Sequence, residues 1–357
     1  MPPDLSNLKM DQNKLKEEIE SIHERTSRSE NKGLITCWNE REFFEEKTLD
    51  AFSIIFRTRG CSWSYSSGCS MCGYYTDTNP QMDEDALKEQ LNRALSEYEG
   101  QEIVKIYTSG SFLDEHEINE KLALQILEAF DAKKIVVESR PEFIDAKKIK
   151  IYSKKVDTLE VAIGLESAND FVLKNCINKG FRFKDYKKKV KQISEHASIR
   201  TYLLLKPPFL LEKEAVNDVV ESIRKVKDLT DIVSINPVNV QRGTLVEKLW
   251  KKNLYRPPWL WSIIEVLSQA EASDNAVFIS EAGVGSKRGA HNCGECDDDL
   301  KKIIQDYNQT QNHKPFKDIL ECDCRERWER ESDIEPFLFF RGTAELLRSR
   351  CPGIYRR

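Results

Sequence analysis

Three cysteines crowd one short stretch, CSWSYSSGCSMCGYY, which runs from Cys61 to Tyr75. Seven residues separate Cys61 from Cys69, and two separate Cys69 from Cys72. Thiolates are soft ligands, and iron–sulfur clusters are held by cysteine sulfur. Three of them in one loop can grip three irons of a four-iron cube. The fourth iron then stays open, by the logic that keeps one position free in catalytic metal sites. An open iron can chelate a substrate or a second cofactor. Gly60, Gly68 and Gly73 let the loop wrap closely around such a group. The other reading, a zinc loop with a distant fourth ligand, fits less well with a loop that follows a strand and precedes repeated βα units.

A second group lies near the other end. HNCGECD supplies Cys293 and Cys296, and ECDCRERW supplies Cys322 and Cys324. Four thiolates close a tetrahedron around zinc and leave no reactive position. Such a site holds structure, contributing on the order of 10 kcal/mol. The rival is an auxiliary iron–sulfur cluster; the spacing predicts zinc. His291 and His313 are expected to stand beside the site or on the surface rather than ligate. Cys37, Cys176 and Cys351 stand apart and are expected to be buried or unpaired thiols.

The elements that must position these groups show a rhythm. AFSIIFR (51–57) is a strand that runs straight into Cys61. Further strands are expected at 102–108, 134–139, 159–167, 199–208 and 231–237. Helices are expected at 83–99, with Leu87, Leu91 and Leu95 on one face, and at 117–132, 185–196 and 214–227. Six strands alternating with helices predict parallel βα units wound by right-handed crossovers. In that architecture chemistry sits at the C-terminal strand ends. Cys61, Ser109–Ser111, Glu138–Arg140, Glu166, Lys206–Pro208 and Asn236–Pro237 all fall there.

Residues 1–50 read as a charged, helix-prone N-terminal extension, 51–245 as the core, and 246–357 as a second unit dense in Arg, Trp and Pro. Hydrophobic content of 39% suffices for a packed interior of 357 residues. Ten cysteines without a secretory h-region predict a cytosolic chain that uses them for metal or catalysis. No run of eighteen apolar residues predicts a membrane span. Net charge is −5, so nucleic-acid binding would need a local patch. Candidates are Lys147–Lys150, Lys184–Lys191 and the C-terminal arginines, each of which also reads as a solvated face.

The cysteine loop resembles the radical S-adenosylmethionine (SAM) superfamily, although the usual first gap there is three residues rather than seven. The resemblance implies a 4Fe-4S cluster on Cys61, Cys69 and Cys72, with SAM on the open iron and reductive cleavage to a 5′-deoxyadenosyl radical. It assigns Met71 to an adenine contact, with Tyr74 beside it. Ser109, Gly110 and Ser111 match the motif that binds the methionine amino group, without the usual double glycine. Glu138 is assigned to ribose or amino contacts, Arg140 to a clamp on the SAM carboxylate, and Glu166 to the site mouth.

The segments YTSGSFLDEHEI, VAIGLES, LLLKPPFLLEKEA, NPVNVQRGTLVE, YRPPWLWS and RGAHNCGECD together resemble the archaeosine-forming radical SAM lyase family over about residues 50 to 350. That resemblance implies a partial (βα)6 TIM-like barrel with a C-terminal zinc-containing extension. It implies a C–N lyase acting on archaeal tRNA. A partner enzyme attaches lysine to 7-cyano-7-deazaguanine in the D-loop, and the lyase then leaves the formamidine of archaeosine. An external electron donor is required. In the second unit Arg242, Arg256, Arg288, Arg325 and Arg327 are candidate phosphate contacts. Trp259, Trp261 and Trp328 are candidate base-stacking groups, with core packing the expectation for any single one. Two alternatives remain open: tRNA alkylation or methylthiolation by the same cofactors, and a catalytically silent zinc-dependent tRNA-binding module.

Overall fold

The structure is a computed structural model that describes residues 11–271, 275–317, 319 and 322–338. Cys351 and the C-terminal arginines lie outside the described residues. One eight-stranded sheet runs through the fold in sequence order. Its strands are β1 (Thr36–Phe44), β2 (Lys47–Ile55), β3 (Ile103–Tyr107), β4 (Lys134–Ser139), β5 (Thr158–Glu166), β6 (Ser198–Leu205), β7 (Ile232–Pro237) and β8 (Ala276–Ile279). The pair β1–β2 is antiparallel and every later pair is parallel. The sheet curls into a half-barrel. β2 to β7 are the six strands expected from the sequence.

Two strands were not expected. β1 lies in the stretch read as N-terminal extension, and β8 lies in the stretch read as a second unit. The sheet therefore draws strands from all three segments of the chain. β1 and β2 meet through Glu45 and Glu46, both at positive φ (48° and 62°), the two-residue turn geometry that fits strand twist.

Helices fill the connections. They are α1 (Gln12–Glu24), the short α2 (Ser62–Ser66), α3 (Glu84–Glu97), α4 (Glu120–Glu128), α5 (Ala146–Tyr152) and the single turn α6 (Asp170–Val172). Then come α7 (Phe183–Ile193), α8 (Glu212–Val226), α9 (Leu245–Lys251), α10 (Leu260–Ala270), α11 (Asp297–Thr310) and α12 (Asp323–Leu338). Asp83, Asn119 and Asp145 accept backbone N–H groups at the starts of α3, α4 and α5. α11 lies across the gap between β8 and β1. Asn308 on α11 bonds both the N–H and the C=O of Ile279, at 2.9 and 2.8 Å, and Gln311 accepts from Val277 N–H. These side-chain amides satisfy an edge that would otherwise be open.

The floor of the half-barrel is charged. Glu42 on β1 pairs with Lys105 (2.5 Å), Lys134 (2.8 Å) and Arg200 (2.7 Å) from β3, β4 and β6. Glu160 on β5 pairs with Lys134 and Arg200, and Glu40 with Lys105. Burial alone would raise the Glu42 carboxyl, but Arg200, Lys105 and Lys134 outweigh it and hold it well below the usual carboxylate range. Ion pairs this deep are strongly damaged by losing one partner.

Candidate radical SAM site

β2 delivers the chain to Cys61, which opens α2, and Cys69 and Cys72 follow within one loop. All three face a cavity of about 1020 Å³ at the C-terminal ends of the strands, and among the described residues no fourth cysteine lines it. That volume lies at the upper end of ligand pockets. Burial pushes the Cys61 thiol up to about 11 and the Cys72 thiol up to about 12, the latter helped by neighbouring Cys69 and Cys61. A thiol bound to metal is deprotonated outright, which removes that barrier.

The loop is clamped from three sides. Asn178 donates to Gly68 C=O at 2.7 Å and to Ser67 Oγ at 2.8 Å, and its own carbonyl accepts from Trp63 Nε1. Ser70 bonds Cys176 and Ile177 on the same strap, a π turn that continues α6. From the β7 side, Gln241 accepts from Gly73 N–H at 2.6 Å. From the N-terminus, Arg28 donates to Thr78 and Ser64, and His23 packs against Gly68 and Tyr75. The segment read as an extension without site residues thus sends His23 to the cavity wall.

Ser109, Gly110, Met71, Tyr74, Glu138, Arg140 and Glu166 all line the cavity. A β-carbon on Gly110 would sit 2.5 Å from Cys61 Cα, so only glycine allows the β3 loop to lie against the cysteine loop. Ser111 does not line the cavity. It is fully buried, its hydroxyl accepts from Arg140 N–H at 3.0 Å, and its N–H donates to Glu117, so it ties the ends of β3 and β4 together.

Glu138 and Arg140 are not paired with each other. Glu138 accepts from Thr108 N–H at 2.7 Å, yet burial still pushes its carboxyl up to about 8. A cationic group entering the cavity would restore its charge. Arg140 spends two donors inside the protein, on Glu142 (2.6 Å) and on Lys179 C=O (2.7 Å), leaving less of its fork for a ligand carboxylate than the sequence suggested. Glu166 sits at φ 73° on a β-bulge and pairs with Lys179 Nζ at 2.8 Å. Lys179 was not foreseen. It follows Asn178, at φ 60°, and belongs to no motif; only the fold brings it to the cavity. Three thiols, an under-compensated carboxyl and a lysine suit a 4Fe-4S cluster with SAM, which carries both an ammonium and a carboxylate.

The second cysteine group is tight. Sγ–Sγ distances are 4.0 Å for Cys293–Cys296, 3.7 Å for Cys293–Cys322 and 3.5 Å for Cys296–Cys324, and all four sulfurs lie within 4.8 Å of one another. A zinc tetrahedron with Zn–S near 2.3 Å has edges of roughly 3.8 Å. A cube would spread its four thiolates over four separate irons. The geometry therefore fits a single ion. Trp261 Nε1 and Asn292 Nδ2 donate to Cys324 and Cys296 at 3.1 and 3.3 Å, steadying the ligands. His291 bonds Gly289 C=O, and His313 packs against Tyr307 and Phe316; neither belongs to the sulfur group.

Trp259, Trp261 and Trp328 do not offer a stacking platform. Trp259 and Trp261 are buried, and Trp328 is half-buried with its Nε1 on Ser262. Arg256 is buried against Pro257 and His291 carbonyls, and Arg288 pairs with Glu247. Arg242, Arg325 and Arg327 are exposed. Cys176 is fully buried and Cys37 half-buried, both unpaired as expected. No helix among the described residues is long and apolar enough to cross a membrane.

Comparison with known proteins agrees with this geometry. Residues 55–219 match the radical SAM superfamily. The chain is 38% identical over 308 residues to archaeosine synthase subunit beta of Methanosarcina acetivorans, covering 83% of this chain and 88% of that protein. It is 38% identical over 310 residues to archaeosine synthase subunit beta of Thermococcus kodakarensis, covering 83% and 95%. Among solved structures, the hydrogenase maturase HydG aligns with a TM-score of 0.50 at 9% identity, covering 84% of this chain and 66% of that one, a likeness of fold. The chain belongs to the radical SAM superfamily and, within it, to the family of archaeosine synthase beta subunits.

Proposed function

We propose that this chain is the lyase subunit of an archaeosine synthase. In that role it acts on the lysine adduct of 7-cyano-7-deazaguanine in tRNA and breaks a lysine C–N bond to leave the formamidine. The observation that carries this reading is a cavity with three cysteines and, among the described residues, no fourth, in a chain that matches two archaeosine synthase beta subunits over most of its length. When bound, the cluster and SAM supply a carbon-centred radical by reductive cleavage. The chain's own residues then bind and orient. Cys61, Cys69 and Cys72 would hold three irons of the cluster. Glu138 would meet the ammonium of SAM, and the Glu166–Lys179 pair offers a charge of each sign at the wall. Gly110 and the Asn178 strap keep the loop at a fixed distance from the strand ends, as positioning for hydrogen abstraction demands.

The reaction needs an external electron donor and a lysine-attaching partner subunit, and its substrate places it in the cytoplasm. The compact sulfur tetrahedron favours zinc over a second cluster, which argues against methylthiolation. The test is anaerobic incubation of the reconstituted chain with SAM, dithionite and lysine-adducted tRNA, followed by nucleoside mass spectrometry. Archaeosine is the expected product. Its absence from a sample with full cluster loading overturns the reading.

A further inference from the structure

The chain carries net charge −5, yet two of its helices are strongly basic. Residues 146–155, α5 and the turn after it, hold five lysines and no acid. Residues 182–191, covering most of α7, hold five lysines and one arginine against one aspartate. The two helices pack together, and Lys189 Nζ donates to Ile144 C=O just before α5. Ile149 and Tyr152 on α5, and Tyr186, Val190 and Ile193 on α7, face the core, so the lysines share the outer side.

Most of these cations have no local use. Lys148 pairs with Glu115 and Lys155 with Glu128. Lys147 stands in the field of Asp145, whereas Lys150, Lys154, Lys184, Lys188 and Lys191 are exposed and have no carboxylate partner among the described residues. The acids nearby serve as backbone caps: Asp145 accepts from Lys147 and Lys148 N–H, and Asp185 accepts from Arg182 N–H. An ordinary solvated helix mixes signs, as α3 does with EDALKEQLNRALSE. A one-sign face repels itself unless something anionic covers it.

Its place in the fold connects it to the site. α5 starts six residues after Arg140, and α7 starts four residues after Lys179. Arg140 and Lys179 both line the cavity and are joined by the Arg140 Nη2 bond to Lys179 C=O. In a βα unit the helix begins at the strand's C-terminal end. The basic face therefore starts at the cavity rim and runs down the outside of the half-barrel.

We propose that the α5/α7 face binds the phosphate backbone of the RNA whose modified base enters the cavity. This rests on the reading that the substrate is tRNA. Lysine-rich contacts of this kind position a nucleic acid without reading its sequence. They also release counterions, so affinity through them falls steeply with salt.

The test uses the full-length chain with its cluster and an unmodified tRNA transcript, with affinity measured across a salt series. Two variants are compared with the parent: K184A/K187A/K188A/K191A, and the same four lysines changed to arginine. The alanine variant should bind the transcript at least about tenfold more weakly, with the salt slope shallower by about one for each lysine–phosphate pair removed. The arginine variant should bind like the parent. Cluster absorbance and tRNA-independent SAM cleavage should match the parent in both. Unchanged affinity and slope in the alanine variant overturn the assignment while leaving the lyase reading intact. Loss of the partner subunit with tRNA affinity retained also overturns it, making the face a protein interface. If the parent itself fails to bind the transcript, the RNA-substrate reading falls instead.

Discussion

The Asn178 side-chain amide donates to the Gly68 carbonyl at 2.7 Å across 110 residues of sequence. A second bond to Ser67 lets one side chain tie two residues of the cysteine loop to the β5–α7 strap, beside the two bonds that Ser70 makes to Cys176 and Ile177. Asn178→Ala removes both donors and places alanine at φ 60°, where asparagine is tolerated and alanine is not. The expected cost is about 2–3 kcal/mol, concentrated on the loop. Anaerobically reconstituted variant should hold several-fold less iron while zinc stays near one per chain. Parent-like iron content would show that the strap does not support the cluster.

Gly110→Ala should disable SAM cleavage with the fold intact. The new β-carbon falls 2.5 Å from Cys61 Cα and also collides with the Glu117 carboxylate. Backbone must move where the cluster is held, so 5′-deoxyadenosine formation should drop at least about tenfold, equivalent to about 1.4 kcal/mol of barrier. Circular dichroism and zinc content should not change. An active variant would mean the β3 loop tolerates separation from the cysteine loop.

Metal analysis separates the two readings of Cys293, Cys296, Cys322 and Cys324. About one zinc and about four irons per chain are expected; about eight irons would replace the zinc with a second cluster. Cys296→Ser or strong chelation should remove the zinc. Because such a site contributes on the order of 10 kcal/mol, comparable to the whole stability of a domain, α12 should lose its hydrogen-exchange protection. Persisting protection in the zinc-free chain would refute a structural role.

Asp218 predicts a pH effect on stability. It is buried on α8, its Oδ1 accepts from Ser167 Oγ at 3.0 Å, and its Oδ2 has no partner. Burial pushes its carboxyl up to about 7. The folded state therefore holds a proton that the unfolded chain has already released. Its favourable contribution is complete below the unfolded pKa and is lost as pH rises to about 7, on the order of a few kcal/mol. Asp218→Asn should flatten Tm between pH 5 and pH 8 and raise it at the upper end. Equal pH slopes in parent and variant would contradict this.

Much of the site was legible in the linear chain because its signals are local. The spacing of Cys61, Cys69 and Cys72 fixes how many thiolates one loop presents, and the apolar runs of β2 to β7 mark strands whose ends carry Ser109, Glu138 and Glu166. The close cysteine pairs set the ligand number of the second metal. Tertiary structure decided the rest. β1 has no apolar alternation because Glu40 and Glu42 occupy its inward face, and burying them is tolerable only beside Lys105, Lys134 and Arg200 from distant strands. β8 is four residues long and is completed by Asn308 on α11 and Gln311 just after it. Lys179 and His23 reach the cavity, and Asn178 reaches the cysteine loop, through contacts that no sequence window contains. Whether a tryptophan stacks on a base or fills a core is likewise a question of burial, and Trp259 and Trp261 are buried. Spacing determines which ligands a loop can offer; only packing determines which charges they meet and how far the loop can move.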